Sequence, residues 1–282
     1  MKPKTSSYER PDFYLLKRFD DIVMLKLGRN FLFEAIDQEF INPLLDVFDH
    51  ITASDKIKAL VVMNCIEQIG SEEYVDFCRH VIESEADCRS LQIMCNVFDQ
   101  LILKIAGLNK PVIHADCGEV ISLFLSISLA CDYRITATHT IFQKSYFELE
   151  TLPKGGSPFF LCKMLGYSRA KKLLMSEKDI NALEALEIGI VDQIVPYDKL
   201  EEAAIQKAQD LTRRSIRSLV GIKKLINYTI TRDVQDYLNF ESFELLKTFD
   251  SIARKNTYTS MGENAIPKLP KSRSQIRLVE SS

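Results

Sequence analysis

The residues best suited to chemistry lie between Lys110 and Asp132, which read KPVIHADCGEVISLFLSISLACD. A short strand and a turn at Gly118 precede a helix, predicted from about Val120 to Cys131, that is apolar nearly all round and therefore buried. The first-turn N–H groups of a helix have no partner inside it, and with the helix dipole they can stabilise a developing negative charge. A buried helix with an internally capped end explains the same pattern without any activity.

Two serines of this helix, Ser122 and Ser126, are four residues apart and share a face. A nucleophilic serine needs a neighbouring base, and no Ser-His-Asp order is evident in the chain. We therefore expect these hydroxyl groups to bond back to helix carbonyls. His114, in the preceding strand, is expected to be a satisfied core histidine.

Composition argues against several function classes. The chain has 282 residues, enough for one large domain or a domain with an appendage, and its net charge of -3 gives no reason to expect nucleic acid or a membrane surface as a partner. The seven cysteines show neither a CxxC pair nor zinc spacing, which predicts reduced thiols in a cytoplasmic protein and no metal site. The N-terminus lacks an apolar signal-type stretch and no apolar run reaches transmembrane length, so we expect neither a signal peptide nor a membrane span.

The hydrophobic patterns predict strands and helices that alternate, followed by helices only, which is typical of an α/β fold with a helical C-terminal part. The predicted strands cover residues 13–19, 22–27, 59–63, 111–115, 133–136, 140–143 and 190–195. The predicted helices cover residues 34–52, 74–107, 159–165, 168–174, 181–189, 200–212, 215–228 and 233–254. Asn181 and Glu184 form a capping-box pattern, Gly189 ends that helix, and Ser168 is expected to cap the helix before it. The polar, basic tail at 266–282 is expected to be loose.

Several ordered motifs resemble the crotonase superfamily, which is the enoyl-CoA hydratase/isomerase family. The matching segments are Lys110–Ile113, Gly118, Ala130–Asp132, Arg134–Ile135, Phe142–Gln143, Pro153–Gly156, Leu165–Lys171 and Asn181–Asp192. The resemblance covers about residues 12–255.

The resemblance implies an α/β fold built as a crotonase-like spiral of ββα units with a C-terminal helical region. It divides the chain into a spiral core at 1–198 and a helical trimerisation region with a loose tail at 199–282. It also implies a homotrimer, or a hexamer made of two trimers, that acts in fatty acid metabolism.

The resemblance further implies that two backbone N–H groups polarise an acyl-CoA thioester carbonyl and stabilise its enolate. By position these amides belong to Glu72, in the loop at 70–74, and to Leu123, where Leu123 and Phe124 replace glycines and would crowd the thioester unless the pocket is reshaped. Coenzyme A enters as part of the substrate, and no tightly bound cofactor is expected. Lys223 falls where the family often has a basic residue near the CoA phosphates, or it belongs to the wet face of a helix.

The chain departs from the family at the acid/base positions. Ser126 and Tyr146 stand where hydratases place glutamates, and Lys154 stands where some isomerases place an aspartate. Tyr146 is a candidate proton or hydrogen-bond donor, or an aromatic packing residue. Glu148, on the same side as Glu150 of an extended or irregular segment, is a candidate displaced base or a solvated carboxylate. Lys154 has an electrostatic role or, as the favoured alternative, is a surface turn residue.

Two functions remain open from the sequence. The first is an acyl-CoA-processing enzyme, a lyase or an isomerase, for which standard hydration is disfavoured because the usual acid/base carboxylates are missing. Isomerisation, C–C bond hydrolysis and decarboxylation stay open, since each depends more on the enolate site than on paired glutamates. The alternative is a CoA-thioester-binding or structural subunit of crotonase fold without catalytic activity.

Overall fold

A computed structural model describes residues 9–10, 13–28, 31–35, 37–64, 72, 74–78, 89–213 and 215–260. The predicted loose tail at 266–282, residues 79–88 of the predicted helix at 74–107, and most of the loop at 70–74 lie outside these residues.

Ten strands form two sheets within the described residues. Their bounds are β1 Glu9–Arg10, β2 Tyr14–Phe19, β3 Ile22–Leu27, β4 Ala59–Asn64, β5 Val112–Asp116, β6 Glu119–Val120, β7 Tyr133–Ala137, β8 Ile141–Phe142, β9 Ile180–Asn181 and β10 Gln193–Val195. The main sheet has the order β1-β2-β3-β4-β5-β7-β10, and a small sheet has the order β6-β8-β9. The predicted hairpin of β2 and β3 is confirmed, and from β3 to β10 all neighbours in the main sheet are parallel.

The helices lie between and after the strands. Their bounds are α1 Phe31–Glu34, α2 Gln38–Ala53, α3 Arg89–Gly107, α4 Ser122–Leu129, α5 Ser145–Glu148, α6 Ser157–Leu165, α7 Tyr167–Leu174, α8 Ala182–Ile188, α9 Leu200–Thr212 and α10 Ile216–Ser260, with a 3-10 turn at Tyr197–Lys199. None of the helices in the described ranges is both long and apolar enough to cross a membrane.

The main sheet is covered on both faces, which explains why every residue of its central strands β4 and β5 is buried. On one face, Ile113 of β5 packs in a cluster with Leu200, Ala204 and Ala208 of α9. These three positions are spaced four residues apart, so they form one helix face, and the two alanines let α9 lie close to the sheet. The opposite face carries the larger core cluster, to which the buried helix α4 belongs.

The sequence predicts the start of α8 correctly but not the start of α4. α4 begins at Ser122 rather than at Val120, because Val120 is a strand residue that pairs with Phe142 in the small sheet. The predicted capping box is confirmed in α8, where Asn181 accepts from the backbone N–H of Glu184 and the Glu184 side chain accepts from that of Asn181.

Two other predictions for helices are wrong. Ser168 does not cap α7, which begins at Tyr167 directly after Gly166, whose φ of 77° ends the preceding helix. The two helices predicted at 215–228 and 233–254 are one helix, α10, of 45 residues. Residues 229–232 contain neither Gly nor Pro, and the low helix propensity of threonine costs only a few tenths of a kcal/mol per residue.

Candidate active site

The amide of Leu123 lies in the first turn of α4. Ile121 caps this helix in an extended conformation and offers no side-chain acceptor to the first-turn N–H groups. Leu123 and Phe124 are fully buried in the main core cluster, and the Phe124 ring lies 6.2 Å from the Phe31 ring. The side chains expected to crowd a thioester are therefore held in the core.

Glu72 is a helical residue with an exposed side chain. Residues 65–71 and 73 lie outside the described residues, and Tyr74 to Cys78 continue as a helix. The convergence of the Glu72 and Leu123 amides on one oxygen atom stays a prediction.

Ser126, on the inner face of α4, is bonded to two carbonyl groups. Its hydroxyl lies 2.9 Å from the carbonyl oxygen of Ser122, as the sequence led us to expect, and 2.7 Å from that of Lys154. Gly155 packs against the same serine: a Cβ atom at Gly155 would lie 2.8 Å from the Ser126 Cβ and 3.8 Å from the Leu123 Cδ1. The turn at 153–156 is therefore seated directly on the face of α4 that carries Leu123 and Ser126.

Lys154 is buried, so the surface position expected for it is wrong. Its side chain is 0% exposed, and its ammonium group forms ion pairs with Asp99 of α3 and, at 3.2 Å, with Glu241 of α10. It also donates to the Ser242 hydroxyl at 3.0 Å, and that hydroxyl donates to the second oxygen of Asp99 at 2.9 Å. A buried ammonium group requires such partners. We call Asp99, Lys154, Glu241 and Ser242 the Lys154 cluster.

Glu241 ties α10 to the turn. Its carboxylate accepts hydrogen bonds from the backbone N–H of Gly155 at 2.8 Å and of Gly156 at 3.0 Å, in addition to the ion pair with Lys154. Both glycines have positive φ, 89° and 83°, which directs two successive N–H groups toward one anion. One side chain of α10 thus fixes the conformation of this turn.

Sequence reasoning missed Asp99 and Glu241, although a signal was present. Glu241 occupies one position of a row at helical spacing whose other members are buried apolar residues, Val234, Leu238, Leu245 and Phe249. A charged residue in the middle of an apolar helix stripe indicates a buried charge with a partner elsewhere. The same reasoning applies to Asp99 in the apolar half of α3.

The Lys154 cluster contains one cation and two carboxylates. Burial raises the pKa of Asp99, and the neighbouring Lys154 and Ser242 offset this in part. Burial likewise raises the pKa of Glu241 against the opposing effect of Lys154 and the two glycine amides. Burial alone would lower the pKa of Lys154, but the two carboxylates outweigh it and raise that pKa. Lys154 is therefore protonated, and both carboxylates accept a proton more readily than exposed ones.

Three uncharged side chains lie beside the Lys154 cluster. Tyr74, Cys78 and Cys95 are buried, and burial raises the pKa of both thiols to about 12 and that of the Tyr74 hydroxyl well above its usual value. These groups are uncharged at neutral pH. The ionic groups of the cluster therefore act in surroundings of low polarity, where charge interactions are strong.

Tyr146 is buried, and its hydroxyl donates to the carbonyl of Leu174 at 2.9 Å. Burial, with a smaller contribution from Asp179, raises the pKa of Tyr146 to about 12. Its ring lies 4.7 Å from that of Phe147. The hydroxyl proton is thus engaged within the chain, and a role toward an enolate stays a prediction.

Glu148 and Glu150 do not share a side of an extended segment as we expected. Glu148 ends the helical turn α5, and Glu150 has a positive φ of 49°, so the backbone alternation that would align them is absent. Both side chains are exposed.

Lys223 lies at the opposite end of α4 from Leu123. Its ammonium group bonds Asp132 at 2.6 Å and the carbonyl of Lys110 at 3.0 Å, beside a cavity of about 520 Å³. The rise of an α-helix places Leu129, the last residue of α4, about 9 Å from Leu123 along the helix axis. Lys224 is exposed, and the predicted contact of Lys223 with CoA phosphates stays a prediction.

His114 is a core histidine, and one of its two ring nitrogen atoms has a hydrogen-bond partner among the described residues. Its Nδ1 atom lies 3.0 Å from an oxygen of the buried Asp116, while Nε2 has no hydrogen-bond partner among the described residues. The other Asp116 oxygen and the side-chain oxygen of Asn64 are equally without partners there.

Comparisons with known proteins agree with this architecture. A family model described as enoyl-CoA hydratase/isomerase matches residues 18–269. The trans-2-decenoyl-[acyl-carrier-protein] isomerase of Streptococcus mutans is 29% identical over 162 residues, which cover 57% of this chain and 61% of that protein, less than two thirds of its length. The short-chain-enoyl-CoA hydratase of Clostridium acetobutylicum is 24% identical over 253 residues, which cover 88% of this chain and 94% of that protein.

Solved structures show the same fold. The crystal structure of an enoyl-CoA hydratase from Bacillus halodurans aligns with a TM-score of 0.73 at 19% identity and covers 86% of this chain and 98% of that one. An enoyl-CoA hydratase/isomerase structure from Acinetobacter baumannii aligns with a TM-score of 0.68 at 20% identity and covers 86% and 99%. The predicted crotonase-like α/β fold with C-terminal helices is confirmed.

Proposed function

We propose that this chain, which belongs to the enoyl-CoA hydratase/isomerase family, processes an acyl-CoA thioester by stabilising its enolate between the backbone amides of Glu72 and Leu123. The observation that carries the proposal is the first turn of α4, which is buried, has no side-chain cap, and lies beside the turn at Gly155. Oriented amide donors in a site without water contribute about 3 kcal/mol each to stabilising such an anion.

We place double-bond isomerisation ahead of hydration. A hydratase must hold a water molecule and deliver a proton, yet Ser126 is bonded to two carbonyls and Tyr146 to a third. Isomerisation requires one group that takes a proton from one carbon and returns it to another, together with the enolate site. Of the residues expected from the sequence, Glu148 is the remaining carboxylate for that role.

Further parts of the proposal concern partners and surroundings. Coenzyme A is part of the substrate, Lys223 interacts with its phosphates, and no cofactor is tightly bound. The chain acts in the cytoplasm, in fatty acid metabolism, as a homotrimer or a hexamer. The exposed apolar side chains of α10, including Leu225 at 80% exposure, support assembly through that helix.

Calorimetry with a panel of saturated and unsaturated acyl-CoAs tests the proposal, followed by NMR assays of double-bond migration with every ligand that binds. We expect binding of at least one acyl-CoA and interconversion of its 2-enoyl and 3-enoyl forms. If no member of the panel gives heat of binding, the proposal fails.

The second candidate is a CoA-thioester binder without turnover. Two observations favour it: the ammonium group of Lys154 is neutralised within the chain, and Gly155 is seated on Ser126 with no space for a side chain. Binding of acyl-CoAs without isomerisation or hydration, and without exchange of their α-protons, would support this candidate.

A further inference from the structure

We propose that Asp99, held in the Lys154 cluster, is the proton-accepting base of this site and takes the place of the carboxylates missing at positions 126, 146 and 154. This inference rests on the proposed function, because a base is required only if the thioester is enolised. It differs from the expectation based on Glu148, whose side chain is exposed at the end of α5.

The Lys154 cluster is joined to the turn that packs against α4. Lys154 supplies the carbonyl that accepts from Ser126 at 2.7 Å, and a Cβ atom added at the next residue, Gly155, would lie within 4 Å of side-chain atoms of both Ser126 and Leu123. The cluster thus begins one residue away from the α4 face that carries the proposed Leu123 amide. The side chain of Lys154 then extends from this turn to Asp99.

Asp99 is a better candidate than Glu241. Glu241 accepts hydrogen bonds from two backbone N–H groups and forms an ion pair with the Lys154 ammonium group. These donors favour its ionised form and hold its carboxylate in one position. Among the described residues, Asp99 accepts hydrogen bonds from Lys154 and the Ser242 hydroxyl only, one on each oxygen, which leaves acceptor capacity on both. Of the three charged side chains it is also the most exposed, at 12% against 4% for Glu241 and 0% for Lys154.

The charge balance of the cluster favours proton uptake by Asp99. With both carboxylates ionised, one cation faces two anions, so the buried cluster carries a net negative charge. When Asp99 gains a proton, the remaining pair of Lys154 and Glu241 is neutral overall. Removing an uncompensated charge from a buried site is favourable.

The proton transfer is balanced within the site. The C–H bond at the thioester α-carbon breaks, its proton binds a carboxylate oxygen of Asp99, and its electron pair moves into the enolate held by the two amides. In isomerisation, Asp99 then returns the proton to the γ-carbon while the double bond moves into conjugation with the carbonyl. The carboxylate is restored, and no oxidant or reductant takes part.

Two buried hydroxyl groups lie within two residues of the turn at 153–156. The side-chain oxygens of Thr151 and Ser157 are buried and have no hydrogen-bond partner in the described part of the chain. Ser157 directly follows Gly156, whose amide binds Glu241. Buried polar groups of this kind bind ordered water or a ligand, which supports a polar ligand beside the Lys154 cluster.

Exchange of the α-protons of octanoyl-CoA in D₂O, followed by mass spectrometry, tests the inference without assuming a final product. We expect exchange with the wild-type protein and a loss of about 100-fold or more in Asp99→Asn, since a positioned base contributes at least that factor. The dissociation constant of octanoyl-CoA, measured by calorimetry, should change by less than about threefold.

Asp49→Asn is the matched control. Asp49 of α2 is an exposed carboxylate that pairs with Lys104 of α3, the helix that also carries Asp99. Its loss should leave exchange at the wild-type rate. Wild-type exchange that persists within about threefold in Asp99→Asn would overturn the assignment of Asp99 and leave the proposed function standing. Absence of both exchange and binding in the wild type would overturn the proposed function, and the assignment with it.

A second variant covers the case in which Asp99→Asn does not fold, as judged by circular dichroism. Asp99→Asn/Lys154→Met/Glu241→Gln removes all three charges of the cluster together, so no unpaired charge is left buried. We expect this triple variant to bind octanoyl-CoA without exchanging its α-protons. Exchange at the wild-type rate in the triple variant would overturn the assignment.

Discussion

At the scale of the residue, the contact between Gly155 and Ser126 determines how the turn meets α4. Gly155 has a φ of 89°, a region in which a side chain is strained, and a Cβ atom there would lie 2.8 Å from the Ser126 Cβ. Gly166 has a similar φ of 77°, but no atom of the described residues would lie within 4 Å of a Cβ atom there. A comparison of alanine substitutions at these two glycines therefore separates the cost of backbone strain from the cost of steric overlap.

We predict that Gly155→Ala destabilises the protein more than Gly166→Ala does. Gly166→Ala should cost about 1 kcal/mol from backbone strain alone, and Gly155→Ala should cost about 1–3 kcal/mol more because the turn must move away from α4. Urea unfolding followed by circular dichroism measures both values. Equal losses in the two variants would show that the turn is not seated on Ser126.

A second prediction at this scale concerns the buried thiols and the dependence of stability on pH. The pKa of Cys95 is about 12 in the folded chain, against 9.0 for an ordinary thiol. Between these values the unfolded chain loses the proton and the folded chain keeps it. The free energy of unfolding should therefore fall as pH rises above about 9, with Cys95 contributing roughly 1.4 kcal/mol per pH unit.

Cys95→Ala should reduce this slope, because the titrating group is gone. Val97→Ala, a truncation of another buried side chain of α3, should lower stability while keeping the wild-type slope. Urea unfolding at a series of pH values, with a reductant present, measures the slopes. Identical slopes in the wild type and in Cys95→Ala would contradict the burial of this thiol.

At the scale of the element, α10 connects the two ends of the candidate site. Lys223 near its start binds Asp132 at the C-terminal side of α4, and Glu241 binds the turn beside the N-terminal half of α4. A single rigid helix fixes the distance between these two contacts. Two helices with a break at 229–232, as the sequence had suggested, would not do so.

We predict that Ile230→Pro destabilises the protein by about 3 kcal/mol or more, because a proline inside a helix removes a hydrogen bond and clashes with the preceding turn. Arg217→Pro, in the first turn of α10, should cost far less because the first N–H groups of a helix have no helical partner. Thermal and urea unfolding compare the two variants. A mild effect of Ile230→Pro, similar to that of Arg217→Pro, would indicate a natural break in α10.

The elements also show what the sequence could and could not predict. The hairpin of β2 and β3 and the capping box at Asn181 depend on neighbouring residues, and both were predicted correctly. The burial of Lys154 depends on Asp99 and Glu241, which lie 55 and 87 residues away, so no local pattern could reveal it. The long-range partner was detectable only as a charged residue within the apolar row of α10.

The predictions of where helices start and break were wrong for a related reason, because they depend on distant residues. Val120 fits the apolar pattern of α4 equally well as a helix or a strand residue, and its pairing with Phe142 in the small sheet decides between them. The departures at Ser126, Tyr146 and Lys154 could be read from the family resemblance. The partners of Lys154, which come from α3 and α10, could be found only in the three-dimensional arrangement.

At the scale of the whole molecule, α10 presents apolar side chains to solvent near its start. Ile222, Leu225 and Ile226 are all more than half exposed. Exposed apolar residues that cluster on one element indicate an interface. This surface agrees with the assembly into trimers that the family resemblance implies.

We predict that the protein elutes from size-exclusion chromatography, with light-scattering detection, at three or six times the mass of one chain. Leu225→Glu/Ile226→Glu should lower the mass to that of a monomer, because charges at an apolar interface are costly to bury. Lys224→Glu, on an exposed neighbouring position, is the control and should leave the mass unchanged. A wild-type protein that elutes as a monomer would contradict the predicted assembly.

A crystal structure with a bound acyl-CoA analogue tests most directly the claim that two backbone amides hold the thioester oxygen. We predict that this oxygen lies within about 3 Å of the backbone nitrogen atoms of both Glu72 and Leu123. An analogue bound elsewhere on the chain, or a thioester oxygen that contacts neither amide, would contradict the enolate mechanism.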